Sequence, residues 1–133
     1  SFEMKKILFL LFLFSNSALI GQQIYNAAGK PIGKIIGQNY YDNNSKLKGK
    51  VESVFVYDAA ENLIGKIDGS YLYDGNGKQI GKVENNDFYD ALGTKLATVS
   101  GNALYDSYGR RIRKFDGLTL SQIIVYYYYF SNL

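Results

Sequence analysis

Short apolar runs alternate with clusters of Gly, Asn, Asp and Lys along this chain, and the alternation returns on a fixed period. Tyrosine stands at Tyr25, Tyr41, Tyr57, Tyr73, Tyr89 and Tyr105, each 16 residues after the last. An apolar residue precedes it every time: Ile24, Tyr40, Val56, Leu72, Phe88 and Leu104. Asn26 follows the first tyrosine, and Asp42, Asp58, Asp74, Asp90 and Asp106 follow the others. Eight residues past each tyrosine lie Gly33, Gly49, Gly65, Gly81, Ala97 and Arg113. Ten past it lie Ile35, Val51, Ile67, Val83, Val99 and Phe115. Six copies of one unit, with no helical period of useful length after residue 21, predict an all-β repeat protein.

Each unit reads as two short strands and two turns. In Tyr-Asp-x-x-Gly the Asp side chain accepts from a backbone N–H two residues on, and the Gly takes a positive φ. Ile-Gly-Lys-Ile is the next strand, and its inner Gly predicts a bulge or a close backbone approach. A second turn, such as Asp68-Gly69, leads into the next tyrosine strand. The strand of one unit and the tyrosine strand of the next make five antiparallel hairpins, at 32–42, 48–58, 64–74, 80–90 and 96–106. Gln22–Asn26 is left over at the front, and 112–115 and the aromatic tail 122–130 at the back. The tail, IIVYYYYF at its heart, is rich in strand formers. It is expected to pair with Gln22–Asn26 and close the array, which removes the exposed edges. The alternative is an open β-hairpin solenoid capped by the tail. Buried, the tail is core; exposed, it is a patch for a partner or a membrane surface.

The first residues differ in kind. Met4 is followed by Lys5 and Lys6, an apolar run over 7–14, and then Ser15, Ser17, Ala18 and Gly21. This is the pattern of a signal peptide over 1–21, with 1–3 upstream of the start and cleavage expected after Ala18 or Gly21. The remaining domain, 22–133, carries no expected transmembrane segment; a retained membrane anchor at the N-terminus is the alternative. Localisation is expected to be periplasmic, cell-surface or secreted. Among 133 residues there are 13 Tyr, 8 Phe, 14 Gly, one Pro and no Cys, so stability rests on packing and sheet closure without disulfides. Loss of Glu3, Lys5 and Lys6 with the leader leaves 13 basic and 11 acidic residues, a net charge of +2. So balanced a chain is not expected to bind nucleic acid.

The unit Tyr-Asp-x-x-Gly-x-x-Ile-Gly-Lys-Ile, the period of 16, the secretory leader and the aromatic C-terminal run resemble the five-fold β-flower proteins of Bacteroidetes. The resemblance covers about residues 22–130. It implies β-hairpin petals in a closed pseudo-five-fold array, and export; it implies no activity. The chain departs from the pattern at Lys48, where other units have Ile or Leu, and at Ala97-Thr98 and Arg113-Lys114.

With neither His nor Cys, the chain has no Ser-His-Asp or Cys-His nucleophile and no zinc, haem or iron–sulfur ligation built on those residues. Gly75-Asn76-Gly77 lies in a repeat turn and is not a phosphate-binding loop. The repeated Asp residues serve a shared fold more readily than one active site, and calcium would need adjacent turns to converge. No catalytic, cofactor or metal residue is assigned. The repeated tyrosines are expected to pack between hairpins. Lys34, Lys50, Lys66 and Lys82 read as solvated edge charges, with an anion-binding ring as the other reading. Tyr40, Tyr71 and Tyr108 break the symmetry and are the candidates for a ligand-stacking surface. The expected function is a non-enzymatic, exported binding or structural module at the cell envelope, with an envelope glycan or protein as the partner class. The alternative is a carbohydrate-active or other hydrolase using an Asp/Glu pair.

Overall fold

The computed structural model describes residues 21–132. The leader expected over 1–21 lies, up to residue 20, outside the described residues. Twelve strands follow in order: β1 (Gln22–Asn26), β2 (Pro31–Ile36), β3 (Asn39–Asp42), β4 (Leu47–Glu52), β5 (Phe55–Asp58), β6 (Leu63–Asp68), β7 (Tyr71–Asp74), β8 (Gln79–Glu84), β9 (Asp87–Asp90), β10 (Lys95–Ser100), β11 (Ala103–Asp106) and β12 (Arg111–Asp116). Among the described residues one helix, α1 (Leu120–Tyr129), ends the fold. The strands form a closed antiparallel barrel in which each pairs with its chain neighbours and β12 pairs with β1.

The five expected hairpins are present as β2–β3, β4–β5, β6–β7, β8–β9 and β10–β11, each joined by a two-residue turn. The two chain ends supply a sixth pair, with Gln23 opposite Asp116 and Asn26 opposite Arg113. Closure therefore comes from β12, not from the aromatic tail, and the array is not an open solenoid. Both edges are satisfied before the tail begins.

Period-two alternation sorts the side chains. Ile24, Tyr40, Val56, Leu72, Phe88 and Leu104 point inward and are all buried. The tyrosine after each points outward and is half-buried. It stands across the hairpin from a lysine in five of six cases, as in Lys50 opposite Tyr57 and Lys66 opposite Tyr73, while Thr98 faces Tyr105. Between hairpins the register slips by one residue: Tyr40 faces Gly49 but Tyr41 faces Leu47, so Lys48 is the bulged residue. The same slip recurs between Val56 and Tyr57 and between Leu72 and Tyr73. Each bulge adds local twist, which helps a sheet of short strands to close.

The Asp turns are alike in all units. Asp74 Oδ1 accepts from the backbone N–H groups of Asn76 at 2.9 Å and Lys78 at 3.0 Å. Asp42, Asp58, Asp90, Asp106 and Asn26 repeat both bonds. Ser45 and Glu61 take φ of 62° and 67° where the other units place glycine, so this turn is held even at two positions that strain an L-residue.

The tail is helical because its surroundings override its β propensity. A lone strand inside a closed barrel would leave its N–H and C=O groups without partners, whereas a helix satisfies its own. The N-terminus of α1 is fixed by a capping box: Thr119 Oγ1 accepts from the Gln122 N–H at 3.2 Å, and Gln122 Oε1 accepts from the Thr119 N–H at 2.9 Å. Eight strands enclose a space that side chains alone fill, and twelve enclose a wider one. The helix occupies it.

The aromatic rings of α1 and its C-cap Phe130 spread around the inner wall of the barrel. An added Cβ at Gly49 would collide with the Phe130 ring, at Gly65 with Tyr129, and at Gly81 with Tyr128. Tyr127 packs on Phe88 with ring centroids 5.2 Å apart. Tyr126 packs edge-on against Phe115 and accepts from Arg113 Nε at 2.8 Å. Tyr128 Oη donates to the carbonyls of Tyr89 at 2.7 Å and Lys82 at 3.2 Å. Tyr129 Oη donates to those of Tyr73 at 2.8 Å and Lys66 at 3.4 Å, the same pair one unit earlier. Burial pushes the Tyr129 hydroxyl up to about 12 and raises that of Tyr128 as well. The inner glycines are thus the floors of slots for rings.

Gly81→Ala overpacks the Tyr128 slot and is expected to lower unfolding free energy in urea by about 1–3 kcal/mol. In a double-mutant cycle with Tyr128→Ala the two changes should be non-additive by at least about 0.5 kcal/mol. The turn carboxylates predict acid sensitivity. Backbone N–H donors, from Lys46 to Asp42, Asn62 to Asp58 and Arg110 to Asp106, hold these three below the usual carboxylate range. A depressed native pKa means the unfolded chain binds more protons, so stability rises with pH there. Its contribution is complete above the unfolded value of roughly 3.9 and is lost as pH falls through the native one. The urea midpoint should be level from about pH 5.5 to 7 and fall below about pH 4, and Asp→Asn at all three turns should flatten that fall.

Candidate binding site

The symmetry-breaking tyrosines do not come together. Tyr40 is 2 % exposed and belongs to the core, stacked on Phe130 with centroids 4.9 Å apart. It precedes a repeat tyrosine, so alternation turns it inward, and it is not part of an exposed stacking surface. Tyr71 is 42 % exposed on the outer wall, with Lys82 Nζ 6.0 Å from its ring centroid. Tyr108 is 83 % exposed on the Asp106 turn, with the Arg110 guanidinium over it at 5.3 Å. Of the repeat tyrosines, Tyr57 has Lys50 Nζ over its ring at 5.8 Å. That lysine also bridges Glu52 at 3.0 Å and Glu61 at 3.1 Å, which raises its pKa.

Most of the carboxylates are engaged in structure. The repeated Asp residues hold their own turns, and Asp87 accepts from Thr98 Oγ1 at 2.8 Å and pairs with Lys95 at 3.2 Å. No group of three or more Asp and Glu side chains that could hold a metal ion occurs among the described residues.

The barrel has two mouths, one ringed by the Asp turns and one by the two-residue turns. The second carries a cleft of about 450 Å³, open on one side. Turn residues Gly37, Gln38, Ser53 and Val54 form one wall, and Ser121, Gln122 and Val125 of α1 the other. Val51, Ile67 and Tyr40 line its inner part. Its origin is the route of the chain. Gly117 and Thr119 carry the backbone from β12 straight into α1, so the helix starts against the β12–β1 side. Gln22 ties it there: its Nε2 donates to the Gly117 carbonyl and to Gln122 Oε1, each at 2.9 Å. On that side Phe115, Ile35 and Val99 are buried, whereas their repeat mates Val51, Ile67 and Val83 are only half-buried. The cleft is the gap between the helix and the first two of the two-residue turns.

A smaller concavity of about 260 Å³ lies on the outer wall between Phe55, Leu63, Lys66 and Tyr73. Phe55 and Tyr71 occupy equivalent outward positions where other units carry Gln23, Asn39, Asp87 and Ala103, so this flank of the strand wall carries two exposed aromatic rings. That bias was visible in the sequence. The mouth cleft was not, because it depends on where a helix enters a ring.

No curated protein matches the chain, and no solved structure matches it. A family model described as "5-fold beta-flower protein" matches residues 21–131, which span every strand and the helix. The repeat, the closed ring of hairpins and this match agree: the chain belongs to the 5-fold beta-flower family.

Proposed function

We propose that the protein is an exported, non-enzymatic binding module of the cell envelope, and that the mouth cleft is the surface it binds with. The observation that carries this reading is the cleft itself, which lies where the helix departs from the symmetry of the ring. Three of the repeated turn carboxylates favour the same reading. A glycosidase acid needs a raised pKa, and Asp42, Asp58 and Asp106 are lowered by their turn hydrogen bonds. Export is supported by the Lys5-Lys6 pair, the apolar run over 7–14 and the small residues up to Gly21.

The test is to produce the whole chain with its own N-terminal segment in a Gram-negative host. Its location and N-terminus are then determined, and the product is warmed with a delipidated glycan fraction and a lipid fraction of the envelope. The expected result is a periplasmic or released protein beginning at Leu19 or Gln22, whose Tm rises with one fraction and which releases no product from either. An uncleaved chain retained in the cytoplasm contradicts export, and catalytic turnover of a fraction contradicts the non-enzymatic reading.

A further inference from the structure

Resting on the reading of the mouth as a binding surface, we propose that its cleft takes an uncharged, mainly apolar small molecule with a hydroxyl, carbonyl or amide group at one end. The lining states the chemistry. A fifth of the chain is charged, yet none of the ten residues around the cleft is. A charged ligand would lose hydration there and meet no counter-charge. Val51, Ile67 and Val125 offer apolar surface for the body of the ligand. The volume falls within the range of roughly 300–1,000 Å³ that small-molecule sites occupy.

The polar groups divide into used and unused. Gln122 is committed: its amide serves the capping box and exchanges bonds with Gln22. Ser53, Ser121 and the Gln38 amide make no side-chain hydrogen bond within the described residues, so they face the cleft with donor and acceptor capacity left over. They sit at the outer end, near solvent, while the apolar residues lie deeper. A ligand that enters body first keeps its polar end among them. Val54 adds a second break in symmetry. It is 39 % exposed on the rim, at a turn position where Gln38, Ser70, Asn86 and Asn102 stand in the other hairpins. Its side chain extends the apolar lining of the cleft to the rim.

The experiment uses two dyes with one aromatic body, the neutral N-phenyl-1-naphthylamine and the anionic 8-anilinonaphthalene-1-sulfonate, titrated into the exported protein. The neutral dye is expected to bind one per chain with a blue-shifted emission, and the anionic dye at least about tenfold more weakly, for want of a counter-charge. Ser121 is exposed on the first turn of α1, so changing it leaves the core alone. Ser121→Trp should fill the cleft and abolish neutral-dye binding, with near-UV circular dichroism unchanged. Ser121→Lys should reverse the preference between the dyes. Equal affinity for both dyes, more than one neutral dye per chain, or binding indifferent to Ser121→Trp would overturn the proposal. The envelope fractions separate this failure from that of the broader reading. A Tm rise that survives Ser121→Trp keeps the binding module and moves its site, whereas no Tm rise and no dye binding removes both.

Discussion

The structure depends on one fit: an aromatic helix inside a ring too wide to fill itself. Strands of four to six residues have little apolar surface each, and their inward residues reach only part of the way to the axis. Without α1 the inner faces of twelve strands would border water. With it, Tyr126 and Phe130 are buried outright, and each fully buried aromatic of this size contributes roughly 1.5–3 kcal/mol. The dependence runs both ways. Ten residues of helix are marginal in water alone, and α1 persists because the barrel covers it.

Repetition and asymmetry meet at that fit. Six near-equivalent slots surround a helix that has no such symmetry. The chain resolves the mismatch residue by residue: a hydroxyl to a pair of carbonyls at Tyr128 and Tyr129, a plain ring at Phe130, and a guanidinium at Arg113 where the other units keep a small residue. The last departure fills the floor of its own slot and binds the helix through Tyr126. At the mouth ringed by the two-residue turns nothing compensates. The start of the helix is tied to β1 through Gln22, and the side of the β2–β3 and β4–β5 turns stays open. The cleft is a consequence of laying an asymmetric element in a symmetric ring, which is why it lies between petals and not within one.

The parts of this fold legible in the sequence are those set by local chemistry. The Asp turn needs only an acceptor and the N–H groups two and four residues on, and the five hairpins follow from the spacing. The glycine within Ile-Gly-Lys-Ile announces close approach but not by what; the rings of Tyr128, Tyr129 and Phe130 supply the answer from far along the chain. The tail is the clearest departure. Its residues favour strand, and the closing partner of β1 is β12, so no edge is left for it. The Thr119–Gln122 capping box is a sign of helix that a reading of the tail from its strand-forming residues does not use. Tyr40 shows the same limit at a single residue: its oddity within the repeat suggested a surface role, and alternation along β3 assigns it to the core.

The claim that barrel and helix form one cooperative unit is tested most directly by native-state amide hydrogen exchange under increasing denaturant. The helical amides of residues 125–129 are to be compared with those of Val56, Leu72 and Phe88 in the barrel wall. The account predicts one common opening free energy with the same denaturant dependence, because losing the helix exposes the whole interior. Helical amides that exchange through a smaller opening while the strands stay protected would show that the ring stands without its core, and would contradict it.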